Sequence, residues 1–495
     1  METGKRAFIL AVDQSTQGTK GLLFDPSGKL IARADRPHRQ IVNDLGYVEH
    51  DPKEILANTF AVCKDVILKA GIPVSEIAAM GISNQRETSA AWNLETGEPV
   101  MNAIVWQCAR AASICERHKD EAEEIRQKTG ITLSPFFPAS KLEWIMTNVE
   151  GAKELADRGL LAMGTMDAWL IWNLTKEHHF RTDYSNASRT QLFNLHTLDW
   201  DDDLLKSFGI PRSALPDVCM SDSVFGTTDL NGLLPQAIPI CGVLGDSHGA
   251  LFGQNCRKAG ELKATYGTGS SVMMNIGEEL KLSDSGLVTS LAWGHNGKVQ
   301  YVFEGNLNYT GAVITWLKDS MELIGNAGET GPMAEQANPE DKTYFVPAFT
   351  GLGSPYWDSK ATGMFTGITR TTGKKEIVKA CVECIAYQIT DLIELMREDT
   401  GFGIDAIRVD GGPTANRYLM QFQSDIANAA VQIPELQELS GMGAAYMAGI
   451  SAGVYDPDEI YNQIGYTKYE PEADDAFRAK KYSGWKTAVH QVLTH

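Results

Sequence analysis

AVDQSTQGTKGLLFD, residues 11–25, joins two apolar runs, Phe8 to Val12 and Gly21 to Phe24, through a loop of hydroxyls, amides and one glycine. A single acid, Asp13, opens that loop, and Lys20 closes it. An ordinary hairpin whose turn is capped by Asp13 would satisfy the pattern. So would a turn that faces phosphate, because small residues let backbone N–H groups approach an anion. The rest of the chain decides between them.

Outward from this stretch the pattern stays layered. KLIARAD (29–35) continues the β alternation. Asp51-Pro52 then opens a helix, with Asp51 as N-cap, Pro52 at N1 and Glu54 at N3 of a capping-box variant. Ile55, Thr59, Val62, Val66 and Ala70 keep near-helical spacing and Gly71 ends the helix. IAAMGIS (77–83) reads as a buried strand delivering the polar run NQRET. Strands, a helix and a further strand make an α/β layered unit. A similar scheme restarts later: ELKATYGTGSSVMMN (261–275) gives strand, glycine turn, strand, and IDAIRVDGGPTANRYLMQFQSDIAN (404–428) gives strand, turn, helix. This implies two related lobes, 1–253 and 254–495, meeting near FGQNCRKAG, with no low-complexity linker between them.

Composition narrows the function. A chain of 495 residues is long enough for about three domains. With 63 acids against 44 bases, net charge −19, a nucleic-acid partner is not expected, since phosphate backbones need clustered Lys and Arg. An anionic ligand must be held by local dipoles and a few placed cations. Eight scattered cysteines, no signal-peptide pattern and no membrane-length apolar run point to a reduced, cytoplasmic protein. Cys381 and Cys384 form a CxxC inside a helical pattern and read as buried small hydrophobes. No histidine pair has metal-ligand spacing.

Four turns follow strands: DQSTQGT (13–19), YGTGSS (266–271), FTGLGSP (349–355) and DGGPTAN (410–416). None fits a P-loop, and none fits a dinucleotide fingerprint. Together they read as two phosphate-facing hairpins and a nucleotide-holding turn. With NQRET (84–88), AIVWQC (103–108), SKLEW (140–144), TDYSNASRT (182–190) and GDSHGALFGQ (245–254), they closely resemble the FGGY carbohydrate kinases, and among these the glycerol kinases. The resemblance runs from residue 6 to about 490.

It implies a two-lobed, actin-like (ribonuclease H-like) α/β fold, with mixed sheets flanked by helices and a catalytic cleft between the lobes. It implies ATP and Mg²⁺ as cofactors, a small polyol or sugar as substrate, and a homo-oligomer, dimer or tetramer. Carried over residue by residue, Asp13 holds the metal and Thr16 and Gln17 lie near the transferring phosphate, with Lys20 solvated beside the loop. Thr268 and Gly269 face them from the other lobe, and Gly311, Gly411, Gly412 and Asn416 hold the adenosine. Arg86 and Glu87 grip the polyol hydroxyls, Trp106 walls its carbons, and Asp246 takes the proton from the attacking hydroxyl. Three pocket positions depart from the glycerol kinase pattern: Phe136 replaces a tyrosine, Ser247 a glutamine and Ser271 an aromatic residue. A roomier pocket is expected, suited to glycerol with relaxed specificity or to a four- to five-carbon polyol. His248 points either into that space or into the core. A pentulose kinase and a non-kinase actin-like ATPase are the competing readings; the Arg86–Glu87 pair and Trp106 disfavour the latter.

Overall fold

A computed structural model of the chain describes residues 6–436 and 438–494. Phe8–Gln14 (β1) and Gly18–Phe24 (β2) form the expected hairpin, Asp13 opposite Lys20, and Leu30–Pro37 (β3) adds antiparallel to β2. Helix Pro52–Ala70 (α1) crosses over, and Ile77–Asn84 (β4) returns parallel to β1. Asp51 caps α1 by accepting from the Lys53 N–H at 2.8 Å, and Gly71 ends it in the left-handed region at φ 67°. The capping box does not close, because the Glu54 carboxylate turns to Arg39 instead. Gly226–Thr228 (β5) and Ile238–Gly245 (β6) complete a six-stranded sheet in the order β5-β6-β4-β1-β2-β3. A separate five-stranded sheet includes Ser89–Asn93 and Ala103–Ile104, and helix Pro138–Asn148 (α2) packs beside it.

The second sheet is built on the same plan. Leu262–Tyr266 (β7), Ser270–Gly277 (β8), Val288–His295 (β9), Lys298–Leu307 (β10), Ala406–Asp410 (β11), Ala430–Pro434 (β12) and Tyr466–Tyr469 (β13) lie in the order β9-β10-β8-β7-β11-β12-β13. In both sheets an antiparallel meander, β1-β2-β3 or β7-β8-β10, is joined by a crossover to a strand parallel to its first member. A second parallel strand and an antiparallel edge follow in each. The repeat expected from the turns is therefore present in the topology.

Five helices position the cleft. Asp246–Gly253 (α3) springs directly from β6, and Gly311–Asp319 (α4) from the segment after β10. Lys374–Thr400 (α5) is buried along most of its length, with Cys381 and Cys384 in the core as expected. Arg417–Ala427 (α6) follows β11, and Leu439–Ser451 (α7) crosses back to lie on the first sheet and on α3. The approach is made through glycines: a Cβ on Gly81 would meet the Ala444 carbonyl oxygen at 2.4 Å, and one on Gly443 would meet that of Gly249 at 1.8 Å. All eight cysteines are unpaired. Among the described residues no helix is long and apolar enough to cross a membrane.

Because α3 carries Asp246 at its first position, the α3–α7 contact sets where that carboxylate sits. Overpacking such a contact costs about 1–3 kcal/mol. Gly443→Ala is expected to lower the urea unfolding midpoint accordingly with an unchanged m-value; an unaltered midpoint would show that the helices can separate freely.

Candidate active site

Sheet ends and the turns after them bring the functional side chains to one cleft. β4 delivers Arg86 and Glu87, and Glu87 sits at φ 59°, a left-handed conformation that a non-glycine residue holds only under constraint. Arg86 reaches across the cleft to Glu304 on β10 with two parallel bonds, Nη1 to Oε2 at 3.0 Å and Nη2 to Oε1 at 2.8 Å. Arg189 Nε donates to Glu87 Oε1 at 2.7 Å, and its Nη1 lies 2.8 Å from Glu304 Oε2. Arg86 Nε also lies 3.4 Å from Asp246 Oδ1. All of these groups are buried except Asp246, which keeps about a third of its side chain open to the cleft. Burial alone would raise Glu304, but the two guanidiniums hold it well below the ordinary carboxylate range. Asp246 is raised by burial, with Arg86 pulling the other way.

Trp106, the residue expected to wall the substrate's carbons, packs against Phe136. The Trp106 and Phe136 rings lie 5.2 Å apart, and Trp106 Nε1 donates to Thr16 Oγ1 at 3.0 Å, tying the wall to the first hairpin. Gln17 is exposed at the hairpin tip. The loop carrying Phe136 is fastened by Lys141 on α2, fully buried, whose Nζ donates to the Pro135 and Phe136 carbonyls at 2.6 and 2.5 Å.

Ser247 and Ser271 do not share one widened wall. Ser247 lines a cavity of about 590 Å³ with Asp13, Lys20, Asp246, Lys263 and Asp410. Ser271 donates to Glu304 Oε1 at 2.9 Å, so its proton is already committed. His248 lies in the core, its Nε2 3.5 Å from Ser290 Oγ, and burial holds it neutral. Lys20 is not solvated beside its loop: half-buried, it lies 3.6 Å from Asp13 and donates to Glu438 at 2.6 Å.

Asp13 is buried, accepts from Ser83 Oγ at 3.0 Å, and is pushed up to about 6 by burial, against the pull of Lys20. Among the described residues no three His, Cys, Asp or Glu side chains converge as metal ligands. That donor set fits Mg²⁺, which binds through one or two carboxylates together with phosphate oxygens and water. A second cavity, of about 830 Å³ and within the range of small-ligand sites, is lined by Thr268, Gly311, Gly412 and Asn416. Gly412 leaves room there, since a Cβ on it would meet nothing within 4 Å. Asn416 also caps α6, accepting from the Leu419 N–H at 3.2 Å. Gly411, at φ 100°, lines the other cavity and lies so close to β7 that a Cβ would meet the Tyr266 carbonyl oxygen at 1.9 Å. Gly269 lines neither cavity and packs on the Leu307 carbonyl. The backbone N–H groups of Gly311 and Ala312, opening α4, bond to the Gly267 and Thr268 carbonyls at 2.9 and 3.0 Å, which fixes the second hairpin.

Arg189, Glu304, Lys141 and Lys263 are the site residues that sequence reasoning missed. Glu304 carried a signal, a lone acid inside the apolar run YVFEG. Lys263 and Lys141 are buried only in the fold, and no run of the sequence marks them.

Residues 8–253 match the N-terminal domain, and residues 262–452 the C-terminal domain, of the FGGY family of carbohydrate kinases. The chain is 47% identical over 491 residues to glycerol kinase 1 of Thermotoga maritima, covering 98% of this chain and 100% of that one. It is 46% identical to the glycerol kinase of Caldanaerobacter subterraneus subsp. tengcongensis, covering 98% of each. The crystal structure of Plasmodium falciparum glycerol kinase with ADP superposes with a TM-score of 0.94 at 34% identity over the whole of both chains. A ligand-bound xylulose kinase from Lactobacillus acidophilus shares the fold, with a TM-score of 0.87 at 24% identity over 98% and 97% of the two chains.

Burial pushes the Lys141 ammonium down from 10.5 to about 7; Glu87, Cys108 and Cys115 oppose this and Arg110 adds to it. An unfolded lysine keeps its proton to about pH 10.4, so above pH 7 the unfolded chain holds more protons than the folded one, and stability rises with pH. The unfolding free energy of the wild type relative to Lys141→Met should therefore increase between pH 7 and 9. Parallel pH curves would show that Lys141 does not titrate in that window.

Proposed function

This chain belongs to the FGGY family of carbohydrate kinases and is an ATP-dependent kinase, and we propose that its acceptor is a small polyol, glycerol or a homologue of four or five carbons. The observation that carries this reading is the meeting of Arg86, Glu87 and Asp246 at one point of the cleft. An arginine donates to hydroxyl oxygens and a glutamate accepts from hydroxyl protons, so the pair orients vicinal hydroxyls. Trp106 and Phe136 supply an apolar face for the carbons between them. Identity to glycerol kinases along nearly the whole chain supports the same substrate class.

Asp246 is the general base. Its carboxylate removes the proton from the attacking hydroxyl as that oxygen bonds to the phosphorus of the terminal phosphate and the bond from that phosphorus to the bridging oxygen breaks, ADP leaving with the electron pair; the proton later passes to solvent. ATP, when bound, supplies the phosphoryl group, and Mg²⁺ held at Asp13 neutralises the phosphate charge. Lys20 and Lys263 add the local positive charge that a protein of net charge −19 otherwise lacks. Thr16 and Gln17 bound the phosphate from the first hairpin, and Thr268 does so from the second, on the turn that Gly269 packs against Leu307. Gly311, Gly412 and Asn416 bound the adenosine, and Gly411 bounds the neighbouring phosphate cavity. In this assignment the polyol grip and first hairpin belong to a lobe of residues 1–253, and the second hairpin and adenosine cavity to a lobe of residues 254–495. A cytoplasmic dimer or tetramer completes the proposal, testable by sedimentation.

A coupled assay of ADP release across glycerol, tetritols, pentitols and pentuloses tests the reading. Turnover should depend on a polyol. Turnover with xylulose or ribulose alone would replace the polyol by a ketose, and polyol-independent turnover would remove the kinase mechanism. A base contributes about 10²–10⁴-fold, so Asp246→Asn should lose at least a hundredfold in kcat while retaining ATP binding. Wild-type turnover in that variant would take Asp246 out of the mechanism. Since Asp246 is raised by burial, the acid limb of kcat/KM should fall above the ordinary carboxylate range.

A further inference from the structure

β10 carries a polar side chain that none of these roles uses. The strand alternates faces. Gly305 points into the core, where a Cβ would meet Leu392 at 2.7 Å and Leu287 at 3.1 Å. Its neighbours Glu304 and Asn306 therefore project from the opposite face, the one on which Glu304 takes the Arg86 guanidinium. In the β8–β10 ladder Asn306 lies directly opposite Ser271, which places their Cβ atoms about 5 Å apart on one face.

The neighbouring groups are already engaged. Glu304 is held by Arg86, Arg189 and Ser271, and the Ser271 proton goes to Glu304. Asn306 is exposed, and among the described residues nothing bonds its side chain. It is an uncommitted carboxamide beside the polyol grip. A polyol whose attacking hydroxyl lies at Asp246 and whose next hydroxyls meet Arg86 and Glu87 extends toward the strand to which Arg86 is bonded. That strand presents Asn306.

We infer that Asn306 is a specificity-determining residue whose carboxamide binds a hydroxyl beyond the third carbon, so that the preferred acceptor is a linear polyol of four or five carbons. This rests on the polyol-kinase reading and narrows it. A carboxamide both donates and accepts, as a hydroxyl does. A site that bonds a hydroxyl discriminates against the analogue lacking it, because the polar group is then left unmatched.

Steady-state kinetics of the full-length enzyme on glycerol, erythritol, ribitol, xylitol and arabitol test it. In the wild type, kcat/KM for the best longer polyol should exceed that for glycerol. In Asn306→Ala that ratio should fall about tenfold, through KM, the size expected for one hydrogen bond. Asn306→Asp, which keeps an acceptor but loses the N–H donors, should fall between the two. The inference is overturned by an unchanged ratio in Asn306→Ala, by an equal loss on glycerol and on longer polyols, or by a wild type that prefers glycerol. Absence of ADP release with every polyol would instead overturn the polyol-kinase reading itself.

Discussion

The bond between Arg86 and Glu304 spans the cleft, and the site is arranged around it. One partner leaves the first sheet after β4 and the other stands in the middle of β10, so the pair fixes how far apart two independently built sheets lie. Two fully desolvated charges are costly unless geometry is good and the remaining positions are satisfied. Here the geometry is bidentate, and Arg189, Ser271, Glu87 and Asp246 take up the rest. Removing one member strands another without a partner, a loss of about 3–5 kcal/mol for buried pairs. The same guanidinium that joins the sheets orients Asp246 and restrains the rise of its pKa. Structural and chemical duties therefore fall on one side chain.

The second organising fact is the distribution of charge. A strongly acidic protein repels nucleotides at a distance, and the cleft adds Asp13, Asp246, Asp410 and Glu438 to that repulsion. Lys20 and Lys263 counter it locally, from opposite sheets. Lys263 is fully buried, with Thr265 Oγ1 accepting from its Nζ at 2.9 Å. Burial lowers its pKa while Asp410 and Glu304 support the charge. Low dielectric makes each such cation count for more than a surface lysine would. Glycine backbones complete the cleft: Gly411 turns at φ 100° close against Tyr266, and Gly412 leaves open space beside it.

Much of this was legible in the sequence, because local rules and the fold agree. The hairpin after Asp13, the capped helix from Pro52, the strand ending in NQRET and the DGG turn each follow from patterning and turn chemistry, and each forms where expected. What stayed hidden depends on contacts between distant segments. Lys20 looked solvated because its partner Glu438 is 418 residues away. Ser271 looked like free space because its acceptor stands on a strand whose register the sequence does not reveal. Ser247 looked like a partner for Ser271 because both replace larger groups, yet Ser247 lines the cavity of Asp13 and Asp246 while Ser271 is bonded to Glu304. Arg189 is an ordinary charged residue until the fold buries it beside Glu304.

Helix α7 also bears on how the chain comes into being. It lies between residues 439 and 451, yet it covers the face of a sheet whose strands end by residue 245. Its backbone nests against Gly81, Gly242 and Gly249, positions with no side chain to shield them in its absence. On a ribosome that works from one end, the first sheet emerges nearly two hundred residues before its lid and waits with that apolar side bare. The last stretch of synthesis thus closes the oldest part of the molecule, and a message cut short before α7 yields an exposed surface rather than a smaller enzyme.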